Sequence, residues 1–91
     1  MTPDARPRLG KGVKLRHDPD GRDMLLVPEG ALVLNLPAAA ALALVDGRRT
    51  LEEIVATVVE RFDVTSERAA ADLQELFERL EARGFVMHER A

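Results

Sequence analysis

Two hydrophobic rhythms divide the chain. As far as residue 34 the apolar positions alternate with polar ones or run in short blocks; from residue 35 they return every three or four places. Val13-Lys14-Leu15-Arg16-His17 alternates with period two and predicts a half-buried strand. Asp18-Pro19-Asp20-Gly21 follows, with proline second and glycine fourth, which suits a type I turn. Met24-Leu25-Leu26-Val27 is then the returning strand of a hairpin. Pro28-Glu29-Gly30 breaks it, and Ala31-Leu32-Val33-Leu34 is a third run of strand length. Three adjacent strands joined by short turns predict an antiparallel meander.

Asn35 suits an N-cap, and Pro37 falls in the first helical turn, where its missing N–H is harmless. The alanine-rich stretch 36–45 predicts a short first helix, ended at Asp46-Gly47. Thr50-Leu51-Glu52-Glu53 is a capping box, behind which Leu51, Ile54, Val55, Val58, Val59 and Phe62 recur at helical spacing. Thr65 or Ser66 caps a third helix over about Ser66 to Arg83, whose stripe is Ala69, Ala70, Leu73, Leu76, Phe77 and Leu80, with Gly84 closing it. Phe85-Val86-Met87 is a short strand or a cover over the core. The expected fold class is α+β: a three-stranded antiparallel sheet followed by three helices, with helices two and three and the sheet winged helix-turn-helix-like.

Residues 1–12 break the pattern with two prolines, two glycines and four charged side chains, and predict a basic N-terminal arm or poorly ordered tail ahead of a domain at 13–91. Residues 1–50 carry eight Lys/Arg against six Asp/Glu, and residues 51–91 five against ten, so a basic front precedes an acidic helical half in a chain of net charge −3. Ordinary solvated surface accounts for this asymmetry. Nucleic-acid binding asks for a strongly basic face, which the expected recognition helix, with Glu67, Asp72, Glu75, Glu78 and Glu81, does not offer. With 91 residues the chain forms one small domain, and such a domain removes only about 60–65% of its unfolded surface from water. There is no cysteine, which excludes disulfides, thiolate metal sites and a cysteine nucleophile. No apolar run approaches the roughly 20 residues of a membrane span, and no secretory h-region is evident, so the cytoplasm is the expected compartment.

Catalytic chemistry finds little to stand on. His17 and His88 have no metal-ligand spacing, Ser66 sits where a helix cap is needed, and Gly10-Lys11-Gly12 is too short for a phosphate cradle. No catalytic residue, metal ligand or cofactor is expected. A binding surface remains. A three-stranded sheet has two edges, and an edge exposes unpaired N–H and C=O groups unless charge or proline guards it. Ala31-Leu32-Val33-Leu34 carries neither. Either the segment is central or covered, by a helix or by a second copy of the chain, or it is an edge kept open for a peptide to add as a further strand.

Certain blocks of this sequence resemble the PqqD family. They are Leu25-Leu26-Val27-Pro28-Glu29-Gly30, Leu34-Asn35, Asp46-Gly47 with Thr50-Leu51-Glu52-Glu53-Ile54-Val55, Leu76-Phe77-Glu78-Arg79-Leu80, Gly84-Phe85-Val86, and also Pro7-Arg8-Leu9. The likeness spans about residues 7–87. It implies a non-catalytic peptide chaperone in the biosynthesis of pyrroloquinoline quinone (PQQ). Such a chaperone binds a ribosomal precursor peptide, PqqA, and presents it to PqqE, a radical S-adenosylmethionine enzyme that crosslinks a glutamate and a tyrosine of the precursor. The implied fold is the recognition domain of pathways for ribosomally made, modified peptides, in which the leader segment adds to the third strand beside the third helix.

Carried onto this chain, the peptide-binding strand is Ala31, Leu32, Val33 and Leu34. On the third helix Arg68, Asp72, Glu75 and Arg79 form a stripe that either is solvated, with a Glu75–Arg79 pair, or rims a cleft that selects peptide charge. Two alternatives stand beside this reading: a winged-helix DNA-binding domain, and a structural subunit whose exposed strand pairs with its own copy in a homodimer.

Overall fold

A computed structural model describes residues 1–89; residues 90 and 91, the end of the expected domain, lie outside the described residues. The elements run β1 (Arg6–Leu9), β2 (Lys14–His17), β3 (Asp23–Val27), β4 (Gly30–Leu34), α1 (Leu36–Ala43), α2 (Leu51–Arg61), α3 (Ser66–Ala82) and β5 (Val86–Glu89). The expected three-stranded antiparallel sheet is present in the order β2-β3-β4, and three helices follow it.

Local chemistry sets the boundaries. The Gly21 N–H donates to the Asp18 carbonyl at 2.9 Å, closing the first hairpin with Gly21 at φ +87°. Asn35, Thr50 and Thr65 all cap helices, their side-chain oxygens accepting from the N–H groups of Ala38, Glu53 and Arg68. The Glu53 carboxylate in turn accepts from the Thr50 N–H at 2.9 Å, completing the capping box. The Asp46 carboxylate accepts from the N–H groups of Arg48 and Arg49, both at 2.9 Å, and so shapes the α1–α2 loop.

The segment expected as an arm is instead part of the fold. β1 pairs antiparallel with β5 in a second, two-stranded sheet, with Pro7 opposite His88 and Leu9 opposite Val86. Pro7 and Leu9 turn inward while Arg6 and Arg8 face solvent, so a sequence that reads as polar and broken still buries one side. Proline fits because a two-stranded sheet is all edge. The residues before β1 finish α2: the Leu51 and Glu52 N–H groups donate to the carbonyls of Ala5 and Pro3, each at 2.9 Å. With Thr50 serving Glu53 and Ile54, all four amides of the first turn have acceptors.

The core lies between the sheets and the helices. Leu25, Leu42, Ile54, Val58, Phe77 and Val86 are its fully buried large side chains, one from each of β3, α1 and β5, two from α2 and one from α3. Leu32 and Leu34 of β4 pack on its margin.

Candidate functional site

β4 is an edge strand. β3 occupies one side of it, and no strand pairs with the other among the described residues. The alternation of the pleat divides its residues: Leu32 and Leu34 are half-buried toward the core, while Ala31 and Val33 face solvent. Alternate residues of such a strand direct both main-chain groups toward the open side. No charged residue or proline lies within Gly30–Leu34 to block it. The choice between central and edge strand, open at the level of pattern, is resolved in favour of the edge.

The strand runs directly into a cavity. Leu34 ends β4, and Asn35, whose side chain caps α1, starts the cavity wall with Pro37 and Ala38. Val58 and Val64 line its apolar part, and α3 supplies Ala69, Leu73 and Leu76 together with Asp72, Glu75 and Arg79. The volume is about 290 Å³, at the small end for a pocket that holds a ligand and suited to one or two side chains.

Three of the four charged residues expected on α3 therefore line the cavity. Arg68 does not, but its Nε lies 3.6 Å from the Asp72 carboxylate in an exposed ion pair. The Glu75–Arg79 pair that the spacing allows is not formed among the described residues, and both side chains border the cavity instead. With Asp72 paired to Arg68, Glu75 and Arg79 are the charges of this wall that have no ion-pair partner among the described residues. None of residues 31–34 lines the cavity; they adjoin it through Asn35. Sequence reasoning missed Asn35, Pro37 and Val58 as wall residues, because the cap, the first helical turn and the α2 stripe already explained them, and Val64 because it lies between α2 and α3, outside both stripes.

No histidine, serine or cysteine lies on the wall. His17 Nδ1 sits 2.7 Å from an Asp23 carboxylate oxygen across the first hairpin, and His88 Nε2 meets Glu81 at the end of α3. Among the described residues no group of three or more His, Cys, Asp and Glu could hold a metal ion, and no helix is long and apolar enough to cross a membrane. What the site offers is a row of main-chain hydrogen-bonding groups, an apolar recess and two opposite charges, which is the equipment for holding an extended peptide.

Known proteins share both sequence and fold with this chain. Residues 24–86 match the family model for coenzyme PQQ synthesis protein D (PqqD). The PqqA binding protein of Rhizobium meliloti is 36% identical over 77 residues, covering 84% of this chain and 79% of the relative. That of Azotobacter vinelandii is 37% identical over 81 residues, covering 88% and 87%. The bifunctional coenzyme PQQ synthesis protein C/D of Methylorubrum extorquens is 38% identical over 68 residues, which are 74% of this chain but 18% of that one. The solution structure of the PqqD truncation of Methylobacterium extorquens PqqCD, described as a functional and stand-alone recognition element for ribosomally synthesized and post-translationally modified peptides, superposes with a TM-score of 0.74 at 33% identity over 99% of this chain and all of that one. A matched family model over most of the chain, two relatives alike along 79% and 87% of their length, and a shared fold converge: the chain belongs to the PqqD family.

Proposed function

We propose that this protein is a non-catalytic chaperone that binds a PqqA precursor peptide and presents it to the radical enzyme PqqE in PQQ biosynthesis. The peptide adds as a strand along Ala31, Leu32, Val33 and Leu34 of a winged helix-turn-helix-like frame, and seats side chains in the recess beside α3. Arg68, Asp72, Glu75 and Arg79 select its charge. The observation that carries this reading is the continuity of an unguarded strand edge with an apolar cavity at Asn35. Because the precursor is made on ribosomes, the site of action is the cytoplasm.

Magnitudes decide how the work is shared. An added strand of this length makes about three or four main-chain hydrogen bonds, each worth about 1 kcal/mol net. Ordering a disordered peptide costs about 2–5 kcal/mol. The backbone thus sets register, and micromolar affinity, about 8 kcal/mol, comes mainly from side chains.

Amide chemical-shift mapping of the protein titrated with synthetic PqqA tests the reading. Perturbations at residues 31–34 and along 72–79 are expected. Saturable binding that perturbs neither segment would overturn it. A self-pairing edge would appear in sedimentation as a dimer that the peptide fails to dissociate.

A further inference from the structure

Cross-strand register decides which side chains share a row on the solvent face of the β2-β3-β4 sheet. Lys14, Leu26 and Ala31 form one row, and Arg16, Met24 and Val33 the next. Both cations stand at the far edge, on β2. At the β4 edge each row ends in an apolar side chain, with no further strand beyond it among the described residues. Val33 is 71% exposed, and Leu36, just past the end of β4, is 63% exposed. Two of the three exposed large hydrophobics among the described residues thus flank one corner, the same corner where the cavity starts. An isolated exposed valine is ordinary. An exposed valine that terminates an apolar row on an unguarded edge is a row awaiting its next member.

A strand added to β4 sends alternate side chains to opposite faces. Inward-facing ones continue the row of Leu15, Leu25 and Leu32 toward the core. Outward-facing ones fall beside Ala31 and Val33, within about 5.5 Å as cross-strand neighbours. We infer that the bound segment of the precursor is apolar at consecutive positions, with one parity directed inward and the other closing over Val33. Val33 is then a specificity-determining residue: it favours a β-branched or aromatic side chain beside it and disfavours a charged one. The inference rests on the strand-addition reading and goes beyond it, since an amphipathic leader, apolar on one parity only, would satisfy strand addition equally well.

Calorimetry with the full chain and synthetic PqqA tests it. Val33→Thr keeps the shape and strand preference of the residue, and Val33→Ser gives a second, smaller replacement; far-UV circular dichroism verifies that both fold. Affinity is expected to fall about threefold for the first and about tenfold for the second. Independently of any protein variant, two peptide sets carry serine at the odd or at the even positions of the bound segment, and both sets are expected to lose affinity. If one parity alone matters and the Val33 variants bind as the parent does, the outer face contributes nothing and the inference fails, while strand addition survives. If the parent chain does not bind PqqA at all, strand addition fails and the inference with it.

Discussion

Gly10 lies against the Gly84 carbonyl so closely that a Cβ on Gly10 would overlap that oxygen. The Gly10 N–H also donates to the Phe85 carbonyl at 2.8 Å, and Leu9 pairs with Val86. The turn that ends α3 is thereby pressed onto the segment leaving β1. Because the clashing atom is backbone, it cannot swing aside. Gly10→Ala is expected to destabilise the fold by about 1–3 kcal/mol, measured by urea denaturation.

The N-terminal segment is a structural element, and removing it has a structural cost. Deleting residues 1–9 strips two acceptors from the first turn of α2, removes the partner strand of β5 and uncovers the buried side chain of Val86. The truncated chain is expected to melt at a lower temperature and to lose amide protection at Leu51 and Glu52, as hydrogen exchange would register. Unchanged protection at these two amides would show that the contacts to Pro3 and Ala5 contribute nothing.

Stability should fall on acidification in a defined window. The N–H groups of Arg49 and then Arg48 hold the Asp46 carboxyl below its ordinary 3.8, and the N–H and then the hydroxyl of Thr50 hold Glu53 below its ordinary 4.5. A carboxyl lowered in the folded state stabilises fully above its unfolded value, and the contribution disappears as pH drops through the folded value. Midpoints of denaturation are therefore expected to hold level above about pH 5 and to decline below the ordinary values of these two groups. Asp46→Asn and Glu53→Gln are each expected to flatten the decline.

The charge selection proposed for α3 has its own signature. Arg79→Gln and Glu75→Gln remove charges from the cavity wall and leave the core untouched. Each is expected to weaken PqqA binding roughly two- to fivefold, as exposed ion pairs do. The effect should shrink at high salt. Arg68→Gln, off the wall, is expected to do less. Calorimetry at two salt concentrations checks all three, and equal losses at both concentrations would argue against an electrostatic role.

How much of this was readable from the residues depends on sequence distance. Period two in Val13–His17, the Asp18–Gly21 turn, the Thr50–Glu53 box and the stripe from Ala69 to Leu80 are local signals, and each led to the element observed. β1 was hidden because its evidence is a pairing with β5 at the opposite end of the chain. Four residues with an internal proline show no rhythm strong enough to reveal such a partner. The edge character of β4 was legible only as an alternative, since the absence of guarding residues fits a covered strand as well as an open one. The α3 stripe showed which charges share a side, but not that Glu75 and Arg79 stay apart: spacing sets reach, and the surrounding surface sets where a long side chain rests.

Because β1 and β5 are neighbours in one small sheet, the outer ends of the two strands, Arg6 and Glu89, lie side by side. A unit built so can be tethered to another protein from that place without the open edge of β4, carried by a different sheet, being disturbed. The Methylorubrum relative, where the matched region is a minor part of a bifunctional protein, is an instance of such modularity.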